Sequence, residues 1–418
     1  MRSFRRGFEW VAKVFAGLTM VRHYMKMTSR IFAALLVGAM VTALPANAQP
    51  DGPIKLGAFV PVTGAGALGE ASLVAVELAV KQINEAGGIA GRQVEATIAD
   101  YQTDPTIGVG EANRLVHQVG IDMAVGPTYS QVTLAVLPLL SAAQIPSINV
   151  SGSSAITPAV GPYSFSMLPN AETQARVMVD NAVSHFSAKK VAIFSDNGAQ
   201  AKSAVAEMKK VLEEKGIALT GVQEYNYNAK DLTPQLLALR SGKPDAILLF
   251  TSTGDDTANV LLSRAQLNWD VNISGSYGVS LSTQALAAGG AKLFNNVIAL
   301  SYAGFTYCPA EGKPQKAIDL VDAVRKYKPE AASRYPMNFL ALFYDSVFIL
   351  KAAVEGDGGD TSGPAVAKWI SENIQSFKGV NTGLAVGEGS HFLVGPGALS
   401  TVKPATIDEY GILERAGC

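Results

Sequence analysis

"INEAGGIAGRQVEATIADYQTDPTIGVGEANRLV", residues 83–116, decides how the chain is built. Ile83 closes a run in which Leu73, Val76 and Val80 recur at helical spacing, so residues 70–86 read as a helix with one apolar face. Gly87 and Gly88 stop it, because glycine enters the left-handed conformation that ends a helix without steric cost. Residues 94–100 follow as a strand, and residues 54–60 supply another strand ahead of the helix. Strand, helix, glycine stop and strand in close succession make a βαβ unit.

The same alternation continues outward. Further strands read at residues 123–125, 145–149, 191–195, 219–225, 246–250, 271–274 and 297–301, with helical patterns between them at 171–185, 201–215 and 255–266. The pattern predicts an α/β protein with mainly parallel sheets. Long helices at 313–327 and 337–355 and the glycine-rich "EGDGGDTSGP" arrive after the second set of units. With no low-complexity tether and no internal repeat, the chain is expected to cross between two lobes more than once.

Composition narrows the function. Of 418 residues, 48% are hydrophobic and 17% charged, which is ample for a packed core, and two domains are the natural expectation. The 34 basic and 35 acidic side chains leave a net charge of -1, with no cationic surplus to engage a phosphate backbone, so nucleic acid is not an expected partner. Lys26 and Arg30 precede the apolar run "IFAALLVGAMVTAL", and Ala46 and Ala48 supply small residues behind it. Residues 1–48 therefore read as a signal peptide cut after Ala48, with the start expected at Met25 or Met27, and the mature protein as exported and soluble. Cys308 and Cys418 are the only cysteines; in an oxidising compartment they either bridge or stay as two idle thiols, and a tie on the last residue favours the bridge.

Catalytic and cofactor spellings fail on context. "PVTGAGALGE", residues 61–70, spaces Gly64, Gly66 and Gly69 as G-x-G-x-x-G, yet Pro61 and Thr63 separate the turn from its strand and Ile89 stands where a ribose-binding acid belongs. It reads as a turned loop at a helix start, whose backbone N–H groups still favour anions. Ser195-Asp196-Asn197 and the Ser187/Lys190 pair lack the K-T-G that would complete a serine-acylating enzyme, and no G-x-S-x-G is present. His117, His185 and His391 are scattered without metal-ligand spacing. No cofactor, metal or enzymatic activity is expected.

Asn84, Gly87, Gly88 and Gly91, the strand-ending Asp100, Asp104-Pro105 and Gly126-Pro127 form a combination that resembles the leucine/isoleucine/valine-binding family of periplasmic solute-binding proteins, the type I receptors of ABC importers. "QIPSINVSGSS", "VAIFSDNG" and "FLALFYDSVFILKAAVEG" extend the resemblance over roughly residues 52 to 418. It implies a type I periplasmic binding protein fold: two doubly wound lobes joined by three crossover hinge segments. Lobe 1 is then 52–168 plus 302–376, and lobe 2 is 169–301 plus 377–418. It further implies a monomeric receptor that shuts on a small carboxylate-bearing solute and hands it to a permease in the inner membrane. By the same resemblance Ser130 and Ser153 match positions that grip the ligand carboxylate, with the Gly152 backbone between them. Ser151, Leu68 and Thr253 join them as candidate contacts.

Lobe 2 departs from the amino-acid binders. Gln200 stands where the family carries a ring-bearing Tyr, and Tyr277 where it carries the Glu that pairs with the ligand ammonium. A phenol is no countercharge for a buried ammonium. Unless Asp196 or Asp255 substitutes, the ligand is expected to lack an amino group, with Tyr101, Tyr129 and Tyr277 walling a cleft for a flat or aliphatic acid. An amino acid of the branched-chain type remains the family expectation, an aromatic or other organic acid the alternative; a sensory ligand-binding module and a periplasmic enzyme are rivals.

Overall fold

The computed structural model describes residues 52–395 and 397–418, so the expected signal peptide and start site lie outside the described residues. The chain begins with β1 (Ile54–Val60), α1 (Gly66–Glu85), β2 (Val94–Asp100), α2 (Pro105–Arg114), β3 (Met123–Val125), α3 (Ser130–Ala142), β4 (Ser147–Asn149) and β5 (Ser164–Ser166). These five strands form one sheet in the order β2-β1-β3-β4-β5, every pairing parallel. Next come α4 (Ala171–Phe186), β6 (Lys190–Asp196), α5 (Ala199–Glu214), β7 (Ala218–Tyr225), α6 (Thr233–Ser241), β8 (Ala246–Phe250), α7 (Gly254–Gln266), β9 (Asn272–Gly275), α8 (Thr283–Gly289), β10 (Val297–Tyr302) and β11 (Thr306–Tyr307). Helices α9 (Gln315–Tyr327), α10 (Ala331–Arg334), α11 (Met337–Gly356) and α12 (Gly363–Asn373) precede β12 (Leu399–Ile407) and β13 (Leu413–Arg415). The second sheet runs β11-β13-β12-β10-β9-β8-β6-β7, with β12 antiparallel to β10.

The motif at residues 83–116 is explained by local hydrogen bonding. Asn84 accepts from Val94 N at 2.7 Å and donates to Val94 O at 2.9 Å, stitching the end of α1 to the start of β2. Gly88 sits at φ +86°, and a Cβ there would lie 2.0 Å from Arg92 O, so no other residue closes this turn. Asp104 caps α2 by accepting from Thr106 N at 2.7 Å and Ile107 N at 3.0 Å, with Pro105 in the first turn where its missing N–H costs nothing. The G-x-G-x-x-G stretch is a turn that runs into α1: Gly64 and Gly66 have positive φ, and Gly69 is packed on Pro61, whose carbonyl oxygen a Cβ would meet at 1.9 Å.

Two lobes follow from the two sheets. In the first, α1 and the long apolar α11 share one core with β1, β3, β4 and β5. By length and composition α11 could cross a membrane, but 78% of that stretch is buried in this core. The second lobe buries α4 and α5 on one face of its sheet and α6, α7 and α8 on the other. The chain crosses at 167–170, at 308–314 and near the C-terminal end.

Two segments sit across the expected division of residues. The strand β11 pairs with β13 in the second sheet, although 302–376 was assigned to lobe 1. Residues 391–393, assigned to lobe 2, bind the first sheet: Ser166 N donates to His391 O and Leu393 N to Ser166 O, both at 2.8 Å. The final crossing is thus made between Leu393 and Leu399, later than the resemblance implies. Asp345 of α11 anchors residues 380–381 on the way, accepting from Val380 N, Asn381 N and Asn381 Nδ2 at 3.1, 2.7 and 2.7 Å. Cys308 and Cys418 form a disulfide that closes over 110 residues and ties the last residue to the turn after β11.

Candidate ligand-binding site

Parallel strands of both lobes point their carboxyl ends at the space between the lobes, where open α/β sheets place ligands. The loops after β1, β3 and β4 enter from one side, those after β6, β7, β8 and β9 from the other. They line a narrow inner chamber and, next to it, a roomier outer vestibule. Tyr129 and Tyr227, edge-on to each other with ring centroids 6.0 Å apart, line both chambers and stand between them.

The inner wall is mostly apolar: Leu68, Leu168, Leu281, Phe339 and the rings of Tyr129 and Tyr277. Its polar atoms belong to Thr128, Ser130, Gln131, Gln200, Tyr227 and Ser252. Among the described residues no Asp, Glu, Lys, Arg or His lines this chamber. The charged groups at the cleft, Lys230 and Asp255, border the vestibule together with Thr253 and Thr103.

Ser130 opens α3 directly behind Tyr129, and no side chain caps this helix. Val132 N and Thr133 N both donate to Tyr129 O at 2.9 Å, leaving the amides of Ser130 and Gln131 as first-turn donors at a positive helix end beside the cavity. Ser130 Oγ accepts from Ser153 N at 3.2 Å, which fixes its orientation.

Of the expected ligand contacts, Leu68, Tyr129, Ser130, Gln200 and Tyr277 line the inner cavity and Thr253 lines the vestibule. Thr253 also caps α7, exchanging hydrogen bonds with Asp256 N and Asp256 Oδ2, each 3.0 Å. The four other candidates lie elsewhere. Tyr101 is fully buried behind the wall, its hydroxyl accepting from Thr128 N at 3.1 Å and its ring edge-on to Tyr129 at 6.5 Å, so it props Tyr129 instead of facing the cleft. Ser151 is fully buried, with Oγ bound to Thr133 Oγ at 2.5 Å and to Pro127 O at 3.3 Å; its hydroxyl ties β4's loop to α3. Ser153 points across the lobe junction, 3.2 Å from Ser203 Oγ. Gly152 lies under Gln200 at that same junction.

Sequence reasoning passed over Tyr227, Ser252, Leu168, Leu281 and Phe339. Tyr227 and Ser252 follow strand ends at "EYNYN" and "LLFTSTG", and the rule that loops after parallel strands build the site singles them out. Phe339 comes from the first turn of α11, and nothing in its local sequence marks it.

Behind Ser252 stands Asp196, the last residue of β6 and fully buried. Burial pushes its carboxyl up to about 7, against the opposing effect of hydrogen bonds from Gly198 N (2.9 Å) and Ser252 Oγ (2.8 Å). Burial likewise raises Asp256 and the hydroxyls of Tyr129, Tyr227 and Tyr277, so all three phenols stay protonated. Tyr277 Oη is buried with no hydrogen-bond partner among the described residues. No cluster of His, Cys, Asp or Glu suited to a metal ion occurs among the described residues.

Residues 53–406 match the model of a family described as periplasmic binding protein. A Leu/Ile/Val-binding protein homolog 3 of Brucella melitensis is 28% identical over 323 residues, 76% of this chain and 83% of that protein. The fold is shared with the branched-chain amino acid transporter substrate binding protein LivJ from Streptococcus pneumoniae in complex with isoleucine, at TM-score 0.72 and 22% identity over 86% of this chain and 97% of that one. It is shared equally with a solute binding protein of an ABC transporter from Rhodopseudomonas palustris BisB5 in complex with 3,4-dihydroxy benzoic acid, at TM-score 0.72 and 20% identity over 86% and 95%.

Proposed function

Because this chain belongs to the leucine/isoleucine/valine-binding family of periplasmic binding proteins, we propose that it is an extracytoplasmic solute receptor that closes on a small carboxylic acid without an amino group. The observation that carries this reading is the inner chamber's lining, which holds no ionised side chain. A carboxylate is served there by the amides and positive end of α3 and by the Ser130 hydroxyl. An α-ammonium would sit on the neighbouring carbon, at the same helix end, where the dipole repels it and no carboxylate answers it. An unpaired charge in such a chamber costs several kcal/mol. Asp196 is screened from the chamber by Ser252, and Asp255 faces the vestibule, so neither replaces the missing partner.

The body of the ligand is aromatic or aliphatic, matching the Tyr, Phe and Leu walls. Of the two fold relatives, one holds isoleucine and the other 3,4-dihydroxy benzoic acid, and the charge-free lining favours the second chemistry. The ligand touches both lobes, so it stabilises the closed state over the open one. A monomer in that closed form is what a membrane permease reads, and delivery to such a permease completes the role.

A thermal-shift screen tests the reading: amino acids against benzoates, phenylalkanoates and fatty acids of matched size. Ligand at 100 times its dissociation constant stabilises by about 2.7 kcal/mol, a shift readily seen. Stabilisation by acids and none by leucine, isoleucine or valine supports the proposal; the reverse pattern overturns it.

A further inference from the structure

The hydroxyls at the lobe 2 end of the chamber have their protons directed by Asp196. An ionised carboxylate only accepts hydrogen bonds. Asp196 Oδ2 lies 2.8 Å from Ser252 Oγ, so the single Ser252 proton is turned toward it. Tyr227 Oη lies 3.3 Å from Ser252 Oγ and donates to it in turn. Both donors therefore point away from the chamber they line, and what they present to it is lone pairs. The lobe 1 end is the opposite, with the α3 amides presenting N–H groups. Tyr277 Oη, buried and without a partner, borders the same chamber and waits for a polar atom.

We infer that the receptor selects a hydroxy acid, its carboxylate at the α3 end and a hydrogen-donating hydroxyl at the Tyr227–Ser252 end, with Asp196 as the positioning residue that makes that end an acceptor. The inference rests on the acid-receptor reading above and names its substrate class. A hydroxyl fits this end better than a second carboxylate, which offers no proton to the lone pairs. The groups facing Asp196 are Asp256 of α7, Tyr225 and Tyr227 of β7 and its following loop, and Tyr129 from the other lobe. None of these is cationic, and Lys230, at the vestibule, acts on Asp256 instead, so Asp196 loses its charge by taking up a proton. Once protonated, its own O–H donates, Ser252 and Tyr227 can turn, and the acceptor character of this end is lost.

The test is calorimetric titration of matched pairs, 4-hydroxybenzoate against benzoate and 6-hydroxyhexanoate against hexanoate. In the wild-type protein at about pH 8.5, the hydroxylated member of the better-binding pair is expected to bind at least about tenfold more tightly, because an analogue lacking the hydroxyl leaves buried acceptors unpaired. The ratio is expected to fall toward unity at about pH 5.5, as Asp196 takes up its proton. Asp196→Asn and Ser252→Ala are each expected to bring it within about threefold at the higher pH. A ratio near one in the wild-type protein, with both acids bound, overturns this inference and leaves the acid-receptor reading standing. A ratio that persists in Asp196→Asn or across the pH range overturns the role of Asp196. Binding of leucine with no acid of either pair overturns the acid-receptor reading itself.

Discussion

Closure of the lobes is written most plainly at Gly152. A Cβ added there would lie 2.1 Å from Gln200 Nε2 and 2.6 Å from Gln200 Cδ, on α5 of the other lobe, and 2.7 Å from Pro169 O at the first crossover. Real carbon contacts begin near 3.4 Å, so Gly152→Ala forces the Gln200 amide or the lobes apart by more than 1 Å. Overpacking of this kind costs about 1 to 3 kcal/mol, of which the part due to Gln200 falls on the closed state, because Gln200 leaves when the lobes part; as its amide is the end of a flexible side chain that can swing aside, that part lies near the lower figure. Ligand affinity measured by calorimetry should therefore weaken about 5- to 10-fold. The Pro169 contact lies outside the lobe junction, so a double-mutant cycle separates the two: Gln200→Ala should restore most of the affinity that Gly152→Ala removes. An unchanged dissociation constant in Gly152→Ala, or no coupling between the two substitutions, would refute the claim that ligand binding draws these surfaces together.

Three further outcomes follow from the same geometry. Asp196 holds its proton up to about 7 in the folded chain, above its unfolded value of 3.8, so the native state binds more protons between those limits and stability falls as pH rises through that window. Relative to wild type, ligand-free Asp196→Asn should melt higher at about pH 8 than at about pH 5, by a margin corresponding to at most about 3 kcal/mol, since about two pH units of the window lie between them; equal margins at both pH values contradict the burial argument. Reducing Cys308–Cys418 reopens a loop of 110 residues, and the loop-entropy relation puts the loss near 4 to 5 kcal/mol, visible as a lowered unfolding midpoint with reductant. Asp345→Ala strips the acceptors from Val380 N, Asn381 N and Asn381 Nδ2, and should cost about 3 kcal/mol or more in denaturant unfolding, whereas Asp345→Asn, which keeps one acceptor oxygen, should cost less.

Much of the architecture is legible because its signals are local. The Asn84 stitch, the Gly87-Gly88 stop and the Asp104-Pro105 cap each work within about ten residues, so sequence spacing alone exposes them. The strands β5, β11, β12 and β13 escape the same reading: three of them contribute two or three residues each, β12 carries Pro404 in its middle, and the place of all four is set by partners far along the chain. In the site, loop position pointed to Tyr129 and Ser130 and the family resemblance to Gln200, and all three line the inner cavity. Loop position was a poor guide to Ser151 and Tyr101, because a hydroxyl-rich loop also has to hold itself together, and these two hydroxyls bind Thr133 and the Thr128 amide instead of facing the cavity. Phe339 reaches the cavity only because α11 returns to the first lobe after the second sheet is nearly complete. That return is a property of topology, which no stretch of neighbouring residues encodes.

The measurement that bears most directly on the whole account compares leucine with 4-methylpentanoate, the same skeleton without the ammonium, by calorimetric titration of the purified mature protein. A chamber with a donor end and no countercharge should bind the acid and discriminate against leucine by about a hundredfold or more, the equivalent of about 3 kcal/mol. Tight binding of leucine with little or none of 4-methylpentanoate would mean that an ammonium finds its partner in this cleft, contrary to the charge-free lining on which the reading stands.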